Sequence, residues 1–435
     1  MREVKVIGAG MTSFGKFLDR SVRSLTEEAV AEALSDAHVS PAEVGFVAFG
    51  NAVGGILQAQ EMIRGHSALH RTGLLGAPIV DVENACASAS SAFHVAWLAV
   101  ASGTVDLALA VGAEKLTHPD KIRSLAAIGT ALDLEDSPAA RELLSAVLLG
   151  WHGPATPAAD INAGGAVSVS TGPQAGAGTG GPAAGGQSFQ HSPFMDVYAK
   201  MTELYLARSA GTVEDLAAVS VKNHRHGAAN PKAQYRQPVT VEEVLASRVV
   251  SPPLTVLMCS PIADGAAALV LASSDAAIKL GVPAVTVRAS VLLSGRDRTL
   301  GEQGVAERAA QRAYETAGIG PEDVDVVELH DAAATAELLL YEELGLCAPG
   351  EGPKLLASGD TTLGGRVPVN PSGGLLSRGH PIGATGCGQL VELVDQLRGR
   401  GGPRQVTGAK VGLAENGGGF IGSDAAATVI TILSN

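Results

Sequence analysis

The sequence is poor in aromatic residues, in positive charge and in cysteine, and each shortage excludes a class of protein. Aromatic residues make up 3% of 435 residues, and 31 Lys and Arg face 44 Asp and Glu, for a formal charge of -13. This acidic balance excludes a bulk basic surface for nucleic acid or anionic membrane. The four cysteines form no Cys-x-x-Cys pair, which excludes a zinc ribbon and a dithiol redox motif. They are Cys86, Cys259, Cys347 and Cys387.

Long apolar runs and targeting signals are missing too. No uncharged apolar stretch reaches the length of a membrane span. The first residues lack a charged segment followed by an apolar core, so we expect no signal peptide. We therefore predict a cytoplasmic protein with reduced thiols. The 46% of hydrophobic residues suffice for a sizeable core.

Short β-rich runs alternate with Ala-rich amphipathic segments along the chain. This alternation is typical of a layered α/β fold. The predicted helices include Ser24–Ala37 and Gly304–Ala317. The predicted buried strands are Val44–Phe49, Leu107–Val111, Ala268–Leu271, Val324–Leu329 and Thr428–Leu433.

An internal repeat indicates that this fold is duplicated. Thr26–Val44 reads TEEAVAEALSDAHVSPAEV, and Ala306–Val324 reads AERAAQRAYETAGIGPEDV. At a constant offset of 280 the two segments share six identities in nineteen positions without a gap. Each copy predicts a helix, a turn that contains proline, and the start of a strand.

The repeat divides the chain into two predicted halves, residues 1–275 and 276–435. The distance between the copies requires a long insertion in the first half, which we place at about residues 113–238. Within it, residues 153–186 are rich in Gly, Ala, Pro and Ser and have almost no charge. This composition predicts a flexible loop.

Cys86 is the candidate nucleophile. It lies in the run Val82–Ala92, among small residues and just before an Ala/Leu-rich helix that reaches about Ala101. A cysteine in the first turn of a helix feels the positive end of the helix dipole, which predicts a lowered pKa and a reactive thiolate. Small neighbours leave backbone N–H groups open to an oxyanion. The alternative is a small, buried, inert side chain.

Two histidines and a glycine cluster are further candidates. His380 lies in a turn between glycines, within Gly373–Gly386, and could take a proton from a thiol. His330 follows a predicted strand, where open α/β folds place their sites. Glycines 417–419 allow a backbone to approach a ligand closely. The alternatives are structural histidines and an ordinary turn.

Taken together, these motifs resemble the thiolase superfamily, and most closely its sterol-carrier-protein-type branch, often called lipid-transfer proteins. The motifs that carry the likeness are Asn84–Ser88, Val221–His226, Ser260–Ala267, His330-Asp331, Gly379–Pro381 and the C-terminal glycine-rich loop. The resemblance implies a duplicated five-layer αβαβα fold that binds acyl-CoA. It also implies that the insertion covers the pantetheine arm.

The resemblance implies roles for individual residues. Cys86 would accept the acyl group as a thioester, His380 would activate the thiol, and His330 would help to build an oxyanion hole. Backbone N–H groups of Cys86 and of the loop with Asn416, Gly418 and Gly419 would form a second hole. The acyl-CoA is the substrate, and no resident cofactor or metal is implied. Family members are mostly dimers or tetramers, and several in this branch work with a small OB-fold, zinc-ribbon partner protein.

One residue of the family pattern is absent. Thiolases usually carry a second cysteine near the C-terminus as acid/base. Alignment on Gly422 puts Asn416 at that position, and a shift of one residue puts Glu415 there as the alternative acid/base. Ala332 and Ala333 stand where the sterol-carrier branch often has another cysteine. Asn cannot shuttle protons at neutral pH.

We therefore predict a thiolase-like acyltransferase for carbon–carbon bond formation or thiolytic cleavage. The alternatives are an acyl-CoA- or lipid-binding protein without turnover, and a retro-aldol lyase that uses tyrosines. Candidates for the lyase are Tyr198, Tyr205 and Tyr341.

His224 and His226 have no evident third ligand, so we predict no metal site there. A local basic patch could form from Lys222, Arg225, Lys232 and Arg236. Of these, Lys222, Arg225 and Arg236 could contact the phosphates of CoA, and the alternative is a solvated face. We predict that Cys259, Cys347 and Cys387 are packing residues.

Overall fold

In this computed structural model the chain is described over residues 1–137, 191–298 and 302–435, so the predicted loop at 153–186 lies outside the described residues. The strands are β1 (Val4–Met11), β2 (Phe46–Gly50), β3 (Ile79–Val82), β4 (Leu107–Lys115), β5 (Val249–Ser251), β6 (Leu254–Thr255), β7 (Asp264–Ser273), β8 (Val285–Ser294), β9 (Val326–Glu328), β10 (Val411–Ile421) and β11 (Asp424–Ser434). The helices are α1 (Val22–Asp36), α2 (Gly54–Gln58), α3 (Arg64–Leu69), α4 (Ser88–Ala101), α5 (Lys121–Gly129), α6 (Pro193–Arg208), α7 (Val213–Ala228), α8 (Val241–Ala246), α9 (Ser274–Leu280), α10 (Val305–Ala317), α11 (Ala334–Glu343), α12 (Gly352–Ala357), α13 (Gly374–Arg378) and α14 (Thr385–Leu397).

A mixed sheet of nine strands runs through the described part of the chain in the order β3-β2-β4-β7-β1-β8-β11-β10-β9. Strands β5 and β6 pair separately. The large sheet has a seam between β1 and β8, which meet only where Lys5 pairs with Thr286 and Val6 with Val285. This short contact divides the sheet into two halves.

The two halves repeat the same strand pairing. In the first, β1–β7 and β7–β4 are antiparallel, and β4–β2 is parallel. In the second, β8–β11 and β11–β10 are antiparallel, and β10–β9 is parallel. Even the outer positions match, because β3 pairs parallel with β2 and Val369 forms a parallel bridge to Val327 of β9. The matching topology confirms the duplication that the sequence repeat predicted.

Helices α4 and α14 form the middle layer. The core cluster around them contains side chains from strands of both halves, such as Leu269 of β7 and Leu433 of β11. The two helices approach closely at Gly386, where a Cβ atom would lie 2.6 Å from the backbone nitrogen of Ser90. Helix α1 covers the outer face of one half, and α10 and α11 that of the other. The result is the predicted αβαβα arrangement.

Most predicted strands and helices are present, and the main differences are in strand length. Strand β7 starts four residues before the predicted run, at the buried Asp264. This carboxylate accepts hydrogen bonds from the backbone N–H groups of Leu116 and Thr117, at 2.8 and 2.7 Å, and pairs with Lys115 at 2.9 Å. The backbone N–H of Phe17 also donates to it, at 2.9 Å. Since these partners lie on other segments of the chain, a hydrophobicity pattern could not predict the start of β7. Across the described helices, none is both long enough and apolar enough to cross a membrane.

Candidate active site

Cys86 lies in a tight turn between β3 and α4. The turn Ala85–Ala87 is stabilised by Ser88, whose hydroxyl donates to the carbonyl of Ala85 at 2.7 Å and accepts from the backbone N–H of Asn84 at 3.0 Å. Cys86 itself is 4% exposed. The small residues that the sequence places here therefore hold the thiol at the carboxyl end of a strand, inside the protein.

His380 faces this thiol directly. Its Nε2 lies 3.2 Å from Sγ of Cys86, and its Nδ1 lies 2.7 Å from the hydroxyl of Thr385. The Thr385 hydroxyl donates its single proton to the carbonyl of Pro381 at 3.1 Å, so it can only accept from Nδ1–H. The neutral imidazole therefore carries its proton on Nδ1, and the lone pair of Nε2 points at the thiol.

Gly379 allows the backbone to present His380 in this way. Its φ of +102° favours glycine, and a Cβ atom there would lie 2.9 Å from Oε1 of Gln234 and 3.1 Å from Cβ of Ala263. His380 also forms an isolated parallel bridge with Ile262. The motif around His380 is thus packed against the segment that precedes β7.

His330 completes a cluster of three residues. Its ring centroid is 5.0 Å from that of His380, at an interplanar angle of 74°. Sγ of Cys86 and one nitrogen from each imidazole lie within 4.8 Å of one another. The Nε2 of His330 is buried and has no hydrogen-bond partner in the described ranges. The structure therefore brings together the three residues that the sequence singled out.

The ionisation of the cluster differs from the sequence prediction. Burial, and to a smaller extent the nearby Glu114 carboxylate, raise the pKa of Cys86 to about 12. Burial lowers the pKa of His330 to about 4 and holds the pKa of His380 well below its usual range. The predicted lowering of the Cys86 pKa is wrong, because burial outweighs the helix end. The resting site contains a neutral thiol and neutral imidazoles.

Backbone N–H groups also point at the sulfur. Those of Cys86 and Gly419 each favour the thiolate and so lower the pKa of Cys86 against the effect of burial. Gly418 lets β10 approach the turn, since a Cβ atom there would lie 2.1 Å from the carbonyl oxygen of Asn84. The glycine cluster is not a loop before the last strand; it is part of β10 itself.

Strand alternation separates Glu415 from Asn416. The Glu415 carboxylate accepts a hydrogen bond from the backbone N–H of His330 at 3.0 Å. The Asn416 side chain faces the other way and accepts from the Ser90 hydroxyl of α4 at 2.8 Å. Burial raises the pKa of Glu415 to about 8. Of the two alternatives, Glu415 is the residue on the side of His330.

Two cavities meet at the cluster, and Phe194 lines both. The small cavity has a volume of about 280 Å³ and includes Cys86 and His380, with the basic residues Lys16, Lys121 and Arg248. The large cavity has a volume of about 590 Å³ and includes His330, Glu415 and Gly419. The reactive residues thus stand between two spaces that a substrate could occupy.

Other residues from the sequence analysis lie elsewhere. Lys222 is buried against Glu337, with Nζ 2.9 Å from the carboxylate, so its proposed contact with CoA phosphates is wrong. His226 is buried, and its two ring nitrogens pair with the carbonyl of Asn370 and the N–H of Leu363. Tyr205 and Tyr341 donate to buried carboxylates of Glu342 and Glu337, whereas Tyr198 lines the large cavity.

Sequence reasoning missed the residues that hold the cluster. The buried Glu114 accepts from Asn51 Nδ2 at 2.8 Å and from the N–H of Gly383 at 3.0 Å, and so ties the first half to the His380 motif. Glu328 and Arg378 form a fully buried ion pair, with Nη1 and Oε2 3.2 Å apart. Each precedes a site histidine by two residues. For Glu114 and Glu328, a charge within an apolar strand was the available signal.

Comparison with known proteins identifies the relatives of this chain. Residues 4–149 match the family model described as "Thiolase, N-terminal domain", and residues 290–434 match "Thiolase C-terminal domain-like". The chain is 38% identical to "Acetyl-CoA acetyltransferase" of Methanothermobacter thermautotrophicus, over 98% of each protein. It is 37% identical to "Benzoylsuccinyl-CoA thiolase subunit BbsB" of Thauera aromatica, over 91% of this chain and 89% of the relative. It is 35% identical to human "Sterol carrier protein 2", over 96% of this chain and 70% of the relative.

Solved structures show the same fold. The structure named "Ltp2-ChsH2(DUF35) aldolase" matches with a TM-score of 0.71 and 25% identity, over 99% of this chain and 97% of that one. Human mitochondrial 3-ketoacyl-CoA thiolase matches with a TM-score of 0.67 and 17% identity, over 100% and 99%, which is a likeness of fold alone. On the family models and the extent of identity to its relatives, this chain belongs to the thiolase family.

Proposed function

We propose that this protein is a thiolase-like acyltransferase that carries its acyl group as a thioester on Cys86. The observation that carries the proposal is the 3.2 Å contact between Sγ of Cys86 and Nε2 of His380. A base within hydrogen-bond reach of a nucleophile, itself oriented by a third group, is the arrangement that covalent catalysis needs. Relatives named as an acetyltransferase and a thiolase support the same reaction class.

In the acylation step, Nε2 of His380 takes the thiol proton while the sulfur attacks the thioester carbon of acyl-CoA. The carbonyl oxygen becomes negative and accepts from the N–H groups of Cys86 and Gly419. Collapse of this intermediate breaks the bond from carbon to the CoA sulfur. The departing CoA thiolate takes the proton back from His380, so the acyl-enzyme and free CoA are the balanced products.

The second step requires a base on the other side of the cluster, and we assign that role to Glu415. Its carboxylate removes the α-proton of a second acyl-CoA, and the carbanion attacks the acyl carbon on Cys86. The sulfur leaves, and the proton from Glu415 returns to it by way of the site. His330 would donate a hydrogen bond to the enolate oxygen through Nε2. A carboxyl group with a pKa of about 8 is suited to give and take protons near neutral pH.

The small cavity fits the CoA arm. It is lined by Ser260, Pro261 and Ile262, which precede β7, and by apolar side chains suited to a pantetheine chain. Lys16, Lys121 and Arg248 add positive charge for phosphates to a protein of net charge -13. In this proposal CoA is part of the substrate, and no resident cofactor takes part in a step.

The test is the mass of the intact protein after mixing with acetyl-CoA and with longer or aromatic acyl-CoAs. We expect a gain equal to the acyl group, lost on treatment with hydroxylamine and absent in Cys86→Ala. Cys387→Ala is the matched control, because that thiol is buried away from His380 and bonds the carbonyl of Ala89. Tight binding of acyl-CoA with no adduct from any donor would leave a binding protein without turnover.

A second candidate is a retro-aldol lyase that acts on a CoA-linked side chain. Tyr198 favours it, because this tyrosine lines the large cavity with His330 and Glu415. The aldolase among the similar structures is a second point in its favour. A lyase would release an aldehyde or ketone from a β-hydroxyacyl-CoA, and Tyr198→Phe would stop that release while leaving acylation of Cys86 intact.

We further propose a homodimer or tetramer in the cytoplasm, which can work with a separate partner protein. The edge strand β3 leaves Val80 42% exposed, and such an edge suits pairing with a second copy. The structure named Ltp2-ChsH2(DUF35) supports a partner protein. Light scattering of the purified protein, with Val80→Lys as the variant, tests the dimer.

A further inference from the structure

The large cavity is much bigger than a short acyl group requires. Its volume of about 590 Å³ is roughly four times that of a cavity of about 150 Å³, which holds one benzene molecule. It also falls within the range of about 300–1,000 Å³ typical of sites for whole small molecules. An acetyl group would leave most of this space filled with water.

Aromatic rings form the wall of the cavity nearest the small cavity. Phe194, Tyr198 and Phe420 contact one another with ring centroids 5.4 to 5.8 Å apart. Two of the three contacts are edge-on, and all three residues line the cavity. In a chain with 3% aromatic residues, this concentration makes a wall suited to another ring.

The rest of the lining is mostly apolar. It comes from one side of α6 and from α11, with the start of α10 and the hairpin of β10 and β11. The apolar members are Val197, Met201, Leu204, Val305, Ala306, Ala336, Leu339 and Leu340. Such a surface gains free energy when it excludes water, at roughly 25 cal/mol per Å² buried.

The charged groups of the large cavity either pair with an opposite charge or are buried carboxyl groups. Arg298 lies 3.6 Å from Asp424, and Lys200 pairs with Glu203 at 2.8 Å. Burial raises the pKa of Glu343 to about 7. A ligand with its own carboxylate would meet these acids, so the lining favours an uncharged group.

The large cavity is continuous with the reactive cluster through Gly419. The N–H of this residue points at Sγ of Cys86, and its backbone lines the large cavity. A carbonyl oxygen held by that N–H would direct the rest of an acyl group away from the small cavity. The acyl chain and the CoA arm would then occupy different spaces.

We infer that the acyl group transferred by this protein is bulky, uncharged and ring-bearing, and that it lies in the large cavity against Phe194, Tyr198 and Phe420. This inference rests on the proposed function, since it places the acyl group that Cys86 carries. It names the substrate class as CoA thioesters of aromatic or alicyclic acids.

The test compares acetyl-CoA with phenylacetyl-CoA as donors in single-turnover acylation of Cys86. Ala336→Phe fills the cavity from α11, and Leu204→Trp does so from a position that is 47% exposed, where folding is little disturbed. Ala42→Phe is the matched control, on an exposed turn outside the cavity. We expect the wild type to prefer the phenylacetyl group by about tenfold or more. Both filling variants should lose that preference, whereas Ala42→Phe should keep the wild-type preference and the wild-type rate with acetyl-CoA.

Binding to Cys86→Ala protein separates this inference from the proposed function. If no donor acylates the wild type, the acyltransferase proposal fails, but calorimetry still measures whether phenylacetyl-CoA binds more tightly than acetyl-CoA. Loss of that difference in a Cys86→Ala, Leu204→Trp double variant would support the cavity assignment. Equal affinity for the two esters, or a wild type that accepts only acetyl-CoA, would overturn it.

Discussion

The Glu415 carboxylate accepts a hydrogen bond from the backbone N–H of His330, with the two heavy atoms 3.0 Å apart. This contact joins β10 to the turn after β9 and sets a carboxyl group beside the imidazole of His330. Burial raises its pKa to about 8, so at neutral pH the group is mostly protonated and becomes a base as the pH rises. Its place beside His330 is the reason that we propose it as the base of the second step.

Glu415→Gln should separate the two steps of the reaction. Glutamine keeps an oxygen that accepts from the His330 N–H, so the fold around the site is retained. It cannot take a proton, so condensation or cleavage should fall by about 100- to 10,000-fold. Acylation of Cys86 should remain within a few-fold of wild type, as measured by intact mass. Full turnover in the variant would assign the base elsewhere.

The pH profile provides the control for this variant. A base must be deprotonated, so turnover of the wild type should rise with pH and level off above about 8. This rise should be missing from the residual activity of Glu415→Gln.

The raised pKa of Glu415 also affects the free energy of unfolding. Glu415 binds its proton more tightly in the folded state than its usual pKa of 4.5 implies, so its contribution to stability is lost as the pH rises through about 8.

Cys86 should react slowly with alkylating reagents at neutral pH, although its thiol faces a histidine. Only the thiolate reacts, and burial raises the thiol pKa to about 12. The rate of reaction with iodoacetamide should therefore rise about tenfold per pH unit between about pH 7 and 9. Peptide mapping by mass spectrometry distinguishes Cys86 from the other thiols. A rate that is already constant from pH 6 would instead indicate a thiolate–imidazolium pair at rest.

The sequence predicted this cluster but not its ionisation, for a physical reason. The motifs around Cys86, His330 and His380 are local, and each sits at the end of a strand or helix that the pattern also reveals. The pKa of Cys86 depends on what covers it, including Glu114 from another strand. Since burial is a tertiary property, no motif could show that it outweighs the helix end.

The choice between Glu415 and Asn416 was open for a similar reason. Neighbours in a strand face opposite sides, so the phase of β10 decides which one meets His330. Its pairing sets Glu415 opposite Ile430 and Asn416 opposite Val429. The adjacent glycines hide the alternation in the sequence. By contrast, the duplication could be predicted, because two helix–turn–strand units keep matching residues in matching places.

Thr385 should matter for catalysis through the tautomer of His380. Its hydroxyl accepts from Nδ1–H and so keeps Nε2 free for the thiol proton. Thr385→Val keeps the shape and removes the acceptor, and should lower the rate of Cys86 acylation by about tenfold or more. Thr385→Ser restores the hydroxyl and should recover most of the rate. Equal rates in the two variants would contradict this role.

The buried ion pair of Glu328 and Arg378 should be the main support of both histidines. Neither side chain is exposed, and Arg378 also lies over the ring of Phe14, with Cζ 5.5 Å from its centroid. Removing one charge leaves the other buried without its partner, which typically costs about 3–5 kcal/mol. Glu328→Gln should therefore lower the free energy of unfolding by about that amount in urea titrations. It should also weaken acylation in the protein that remains folded, because Glu328 precedes His330 by two residues and Arg378 precedes His380 by two.

The control is the exposed pair of Lys200 and Glu203, which lie 2.8 Å apart. Glu203→Gln should lower the free energy of unfolding by about 0.5 kcal/mol or less. Similar losses in the two variants would show that the buried pair stabilises the protein no more than a surface one.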